Sequence, residues 1–535
     1  MRRAALLLLF LSITFPLYSQ SGSYDILITG GRIVDGTGNP WFKGSLAIDG
    51  NRILAVGRTP PGSPRRTIDA GGKVVAPGFI DIHTHSRGGI FQVPDAGNYI
   101  RQGVTTVMEG NDGGSPLPLP EFFEKLRKTP VAVNLGLFAG QGSVRQKVIG
   151  LINRKATPAE IGKMEDLVRT AMLDGAFGIS TGLFYVPGNY TPTEEVIALA
   201  RIAGEMGGMY ISHMRDEASG VLDSVRETIR IGKEAHLPAQ ITHHKIIGRQ
   251  NWGCSDETLR LVAEARAGGV DVTIDQYPYT ASSTGTAALF PQWSLEGGRK
   301  ALLERLGDPG QRARIKAEII TRIRDDRGGG DPKNVVMASC SFDPSLAGRN
   351  LGEIARAKTG EATLEAAAET AIKIQESGGC SAIYHAISEA DVERIMQSPY
   401  TMVASDGGIP VFGKEVPHPR SYGTFARVLG RYSRDRRVIP LEEAVRKMSS
   451  FPAARLKIMD RGLLRPGMLA DVVVFDAGAV RDRAEFLHPH QYAEGFSHVI
   501  VNGKAVLLDG KMTGELPGRI LYGPAWRSHG SDGAQ

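Results

Sequence analysis

Eight short apolar runs, spread through the middle of the chain and set apart by segments of helical periodicity, constrain the fold more than any other feature. They read VVAPGFIDIH, VTTVMEG, VAVNLGLF, GAFGIST, GMYISH, PAQITHH, VDVTIDQ and YTMVASD. Stretches such as TEEVIALARIAGEMG, VLDSVRETIRIGKEA and DETLRLVAEARAGG lie between them, with apolar residues recurring at helical spacing. Strand and helix in alternation build a parallel sheet, and eight such units close on themselves. The expected fold is α/β, a (β/α)8 TIM-like barrel. A length of 535 residues suits one barrel with inserted segments, and the apolar share of 41% suits a soluble protein with a sizeable core. The connection between VDVTIDQ and YTMVASD is several times longer than the others. It reads as an insertion at about residues 285–395, over the barrel mouth, where it can shape substrate choice.

The chain opens on MRRAALLLLFLSITFPLYSQSG. Two arginines, an apolar stretch too short to span a bilayer and a small polar end read as a signal peptide over residues 1–22. A periplasmic or secreted protein without stable membrane insertion is expected. Removing Arg2 and Arg3 takes the net charge from +6 to +4, with no basic run to track nucleic acid. No nucleic-acid partner is expected, and the oligomeric state is left open. The three cysteines, Cys254, Cys340 and Cys380, form no CxxC pair. They read as buried small residues, although export would permit one bridge.

Chemistry is concentrated where the strands end. His83 and His85 close the first run, His213 the fifth, His243 the sixth and Asp406 the eighth. Residues i and i+2 of a strand point to one side, so His83 and His85 can reach one point. Barrel enzymes carry their chemistry at this rim. Four histidines and a carboxylate there read as a site for one or two divalent ions.

Longer stretches sharpen the reading. GGRIVDGTGNP, GISTGLFYVPG, YISHMRDE, ITHHK, DQYPYTASST, VASDGG and HPRSYGTFARVLGRYSRD, with the strand ends above, resemble the N-acyl-D-amino-acid deacylase (D-aminoacylase) family of the amidohydrolase superfamily. The resemblance covers nearly all of the chain after the leader. It implies a barrel over residues 76–455 plus a small β-sandwich built from residues 23–75 and 456–535. The strand-like texture of YDILITGGRIVDGTG, GSLAIDGNRILAVG, ADVVVFDA and HVIVNGKAVLLDGKMTG agrees.

By the same resemblance, His83, His85, His213 and His243 are metal ligands and Asp406 is the catalytic aspartate. Lys245, Tyr185, Tyr277 and Arg420 contact substrate, Arg420 through a guanidinium fork that suits a carboxylate. His244 reads as packing or outer support. One departure matters: the family's bridging cysteine in GNCG is replaced here by Asp112 in GNDGG, preceded by Glu109. The fourth run, GAFGIST, has no lysine to bridge in the manner of other amidohydrolases. Asp112 is the favoured bridge and Glu109 the alternative. Oxygen in place of thiolate weakens a preference for Zn2+ and admits Mn2+ or another divalent ion. The expected reaction is hydrolysis of an N-acyl-D-amino acid, the D preference resting on resemblance alone. A D-residue dipeptidase, a cyclic-amide hydrolase and, last, a non-catalytic metal-binding scaffold are the alternatives.

Overall fold

The computed structural model describes residues 22–527. Apart from Gly22, the leader expected over residues 1–22 lies outside the described residues, as do residues 528–535 of the C-terminal segment. No helix among the described residues is long and apolar enough to cross a membrane.

All eight runs become strands, which we number along the barrel. They are β1 Phe79–Asp81, β2 Val104–Glu109, β3 Asn134–Leu137, β4 Gly178–Gly182, β5 Met209–His213, β6 Ala239–Ile241, β7 Val272–Gln276 and β8 Thr401–Val403. Every neighbouring pair among them is parallel. Phe138 interrupts the third strand: Asn134–Leu137 pairs with β2, and Ala139–Gly140 pairs with β4. Beyond β8 the chain returns to β1. Gly407–Gly408 pairs in parallel with Thr84–His85, and the Asp406 amide donates to the His83 carbonyl at 2.9 Å. This return closes the ring. Inside it Ile80, Ile82, Met108, Phe138, Ile211 and Met402 pack together, filling the barrel beneath the rim.

A second sheet joins the two ends of the chain. Val74–Pro77 pairs in parallel with Ser23–Ile33 on one side and antiparallel with Val472–Phe475 on the other. The ladder runs unbroken through eight strands, with Ser63–Asp69 pairing beside Ser23–Ile33 as a ninth, so the β-rich ends form one continuous sheet around Ile28, Leu46, Val75 and Val474. A buried polar cluster ties this sheet to the barrel. Asn134 on β3 donates to Asp471 at 3.1 Å and accepts from Asn502 at 2.8 Å, and Arg461 pairs with the same Asp471.

Between β7 and β8 the chain builds a unit with its own core. Its antiparallel strands Ser282–Gly285, Ser381–Tyr384 and Val335–Ser339 are backed by helices Gly298–Gly307, Pro309–Thr321 and Leu364–Glu376. Here the reading of the cysteines is corrected, because Cys340 and Cys380 are joined in a disulfide. The reason is register: Ser339 pairs with Ser381, so the residues just outside that pair face each other across the ladder. Cys254 is free and half-buried.

Candidate metal centre and active site

The ligand types gather where the strands end. His83 Nε2 lies 3.4 Å from Asp112 Oδ1 and 3.6 Å from Asp406 Oδ1. His85 Nε2 lies 3.4 Å from Asp112 Oδ2 and 3.0 Å from Asp406 Oδ1. On the other side His213 Nδ1 and His243 Nε2 approach Asp112 at 3.5 and 3.4 Å. Two groups result, His83, His85, Asp112 and Asp406, and Asp112, His213 and His243. Asp112 belongs to both. In each group the candidate ligand atoms lie within 4.8 Å of one another.

The backbone is bent to bring this about. Asp112, His243 and Asp406 hold φ values of +53°, +36° and +51°. Non-glycine residues rarely occupy this region, and each costs of order 1–3 kcal/mol that surrounding structure must offset. The loop bearing Asp112 is pressed against its neighbours. A Cβ on Gly110 would stand 2.3 Å from the Phe138 carbonyl, and one on Gly182 of β4 would stand 2.2 Å from the Asp112 carbonyl. The strand that lacks a bridging lysine thus places a glycine, Gly182, where the Asp112 loop comes close.

The donor set fits a divalent metal. Both ring nitrogens of the fully buried His83 lack a hydrogen-bond partner, as do Asp112 Oδ1 and His213 Nε2. Buried polar atoms are seldom left so, and an ion would satisfy those that point inward. Outer partners orient the rings, as metal-binding histidines require. Glu217 faces His243 Nδ1 at 3.1 Å and His213 Nε2 at 3.8 Å, and Asp275 faces His83 Nδ1 at 3.8 Å.

A cavity of about 260 Å³ opens above the cluster. Lys245, Tyr185, Tyr277 and Arg420 all line it, joined by Ser283, Thr284 and Arg327 from the unit between β7 and β8. Arg420 donates from Nη1 to Asp406 Oδ2 at 2.7 Å and stacks on the Tyr277 ring at 4.8 Å. Lys245 Nζ bonds Glu217 and lies 2.7 Å from His243 Nδ1. The Tyr185 hydroxyl meets Thr284 Oγ1 at 3.1 Å, and the Tyr277 hydroxyl is buried without a partner.

The model of the Amidohydrolase family matches residues 66–507, most of the chain and every residue of the cluster. The chain belongs to this family.

Within it, this amidohydrolase is 38% identical over 526 residues to the D-aminoacylase of Alcaligenes xylosoxydans xylosoxydans, a match that covers 94% of this chain and 98% of the relative. It superposes with a TM-score of 0.79 on a D-aminoacylase solved to define the role of a binuclear metal centre, at 38% identity over 93% of this chain and 100% of that one. It also superposes with a TM-score of 0.80 on N-acyl-D-glutamate deacylase from Bordetella bronchiseptica, solved with zinc and a phosphonate mimic of the tetrahedral intermediate. That match is at 34% identity over 94% of this chain and 100% of that one.

Charge follows geometry in the amidohydrolase. Burial pushes the Asp406 carboxyl up, but Arg420 and His83 outweigh it and hold the group well below the usual carboxylate range. Asp112 is likewise held low against burial, by His83, His243 and His213. Partial loss of water lowers His85 and burial lowers His243, yet their carboxylate neighbours prevail and push them up to about 10 and about 9. His244 goes the other way, to about 3, through burial and then Lys245; its Nε2 meets Thr258 away from the cluster at 2.8 Å.

Glu109 is not brought to the metal groups. Its carboxylate accepts from the Arg87 amide at 2.8 Å, the Gly110 amide at 2.9 Å and Ser86 Oγ at 3.3 Å. It anchors the turn that follows His85, which explains a buried charge where an aliphatic residue would ordinarily pack. Sequence reasoning missed Glu217, Asp275 and Arg327. The first two sit inside YISHMRDE and DQYPYTASST, four residues after His213 and two before Tyr277, and their proximity to those residues was the available signal.

Proposed function

We propose that the chain is an exported, metal-dependent amidohydrolase that cleaves the amide bond of N-acyl-D-amino acids, giving a carboxylate and a free D-amino acid. The observation that carries this reading is Asp112 shared between two histidine groups, with Asp406 and Arg420 paired at the cavity wall. The names of its relatives, D-aminoacylase and N-acyl-D-glutamate deacylase, support the substrate class.

His83, His85, Asp112, His213 and His243 would hold one or two divalent ions. Zinc is the first choice, given its presence in the Bordetella relative, and the all-oxygen bridge leaves manganese open. When bound, such an ion supplies positive charge that polarises a carbonyl and lowers the pKa of water to roughly 7. Asp406, ionised at neutral pH, accepts the proton of the attacking water and returns it to the leaving nitrogen. Glu217 and Asp275 keep their histidines oriented. Arg420, with Lys245 and Tyr277, receives the α-carboxylate, and its bond to Asp406 links substrate binding to the proton acceptor.

The Cys340–Cys380 bridge supports an oxidising compartment, in keeping with the leader. The test is release of free amino acid by metal-loaded protein from N-acyl-D- and N-acyl-L-amino acids and from D,D- and L,D-dipeptides. Hydrolysis of the N-acyl-D series, abolished by chelation and restored by metal, is expected. Cleavage of dipeptides alone would make the protein a dipeptidase.

A further inference from the structure

Three cationic side chains other than histidine line the cavity, and two of them already have carboxylate partners: Lys245 is paired with Glu217, and Arg420 with Asp406. Arg327 is the third. It is 5% exposed, yet among the described residues its guanidinium takes part in no ion pair or hydrogen bond. It rests instead on aromatic faces, 4.5 Å from the Phe184 ring centre and 5.6 Å from that of Tyr384. The adjacent carboxylate of Asp326 feels the Arg327 charge but makes its bond to Arg322, at 3.3 Å. A buried cation with no carboxylate bonded to it is costly, and aromatic faces and a distant charge offset only part of that cost. A guanidinium also cannot discharge itself by losing a proton.

Its setting points to a ligand as well. Arg327 ends a π-helical stretch, Arg322–Arg327, and is followed by three glycines, Gly328, Gly329 and Gly330. π-Helical turns are rare and recur at functional sites. Phe184 and Tyr185, next to Arg327, stack toward His213, whereas Arg420 stands beside Asp406. The two arginines therefore occupy opposite ends of the metal cluster, where they can hold two anionic groups of one molecule.

We infer that Arg327 binds a second carboxylate of the substrate, so that the amides this enzyme prefers are dicarboxylates. This rests on the proposed function and specifies its substrate class. The α-carboxylate goes to Arg420, and the second carboxylate is supplied by the amino-acid side chain or by the far end of a dicarboxylic acyl group.

The experiment compares kcat/KM of the metal-loaded full chain on N-acetyl-D-glutamate, N-succinyl-D-leucine and N-acetyl-D-leucine, for the wild type, Arg327→Met and Arg327→Lys. One of the two dicarboxylates should exceed N-acetyl-D-leucine by about 10- to 100-fold, the range expected for hydrogen bonds to a charged group. Which one does so identifies the source of the second carboxylate. Arg327→Met should remove that advantage, and Arg327→Lys should keep part of it. A wild type that prefers N-acetyl-D-leucine, or an equal loss on all three substrates in both variants, would overturn the inference and leave Arg327 as a prop between Phe184 and Tyr384. Calorimetric binding of glutarate to the metal-loaded protein separates the two levels. If no amide is hydrolysed but glutarate binds the wild type and not Arg327→Met, the proposed reaction fails and the dicarboxylate site stands; if glutarate does not bind, the site fails too.

Discussion

Arg420 Nη1 donates to Asp406 Oδ2 at 2.7 Å, so the side chain read as the substrate clamp is also bonded to the side chain read as the proton acceptor. Replacing Arg420 by Lys keeps the charge and loses the planar fork. Substrates with a free α-carboxylate should then suffer about 10-fold or more in kcat/KM beyond the loss on their amide analogues, a difference of the size of one charge-assisted hydrogen bond. Arg420→Gln should also move the acid limb of the pH profile to higher pH. The guanidinium holds Asp406 low, so removing it lets the carboxyl take up a proton earlier as pH falls. An unmoved acid limb would separate the two residues functionally.

Asp406→Asn preserves size and removes the base. Turnover should fall by about 10² to 10⁴, with metal content by elemental analysis nearly intact because the histidines and Asp112 remain. Near-normal turnover would assign the proton transfer to another group.

Asp112→Ala should empty the metal centre, since both histidine groups meet at this carboxylate, whereas Glu109→Gln should keep the metal and loosen only the turn at Ser86 and Arg87. Asp112→Cys places sulfur at the shared position and should raise the preference for zinc over manganese. Equal metal content and selectivity in all three variants would take Asp112 out of the centre.

Metal binding should release protons. In metal-free protein His85 and His243 stay protonated up to about pH 10 and about pH 9. A metal requires their neutral form, so apparent affinity should rise with pH below these values, by about tenfold per unit for each proton displaced, and level off above them. Titration calorimetry in buffers of different ionisation heat would count those protons, and zero release would contradict the assignment of both residues as ligands.

Breaking the Cys340–Cys380 bridge, by reduction or by Cys380→Ser, should destabilise the unit between β7 and β8 by about 2–4 kcal/mol in a denaturant titration. An identical unfolding curve with and without reductant would mean that the bond adds nothing to the folded state.

The barrel was readable because each of its strands is an apolar run with its own start and stop, and the candidate ligands were readable because they sit at the ends of those runs. His83, His213, His243 and Asp406 need no knowledge of the rest of the fold beyond that position. Glu217 and Asp275 are acidic residues among many, and they become meaningful only once the ring of strands sets them behind the histidines. The choice between Asp112 and Glu109 turned on which way a loop bends: Asp112 faces the histidines, whereas Glu109 accepts from the turn at Ser86 and Arg87. Arg327 and the cysteine pair belong to a segment whose strands are antiparallel and short, with no barrel register to place them. The bridge follows from a pairing of Ser339 with Ser381 that spacing along the chain does not reveal.

The sheet that joins the chain ends governs how this protein can be made. Synthesis delivers Val74–Pro77 early with Ser23–Ile33 at one side, but its other edge has no partner until Val472–Phe475 arrives, after the whole barrel. Pairings so distant in sequence form slowly, and an unpaired strand edge recruits neighbours meanwhile. A chain halted a residue earlier also lacks Asp471, the buried group that Asn134 and Arg461 share. Such a fragment would carry all the candidate metal ligands and substrate contacts and still be a poor enzyme, prone to aggregate, because its first sheet waits for its last strands.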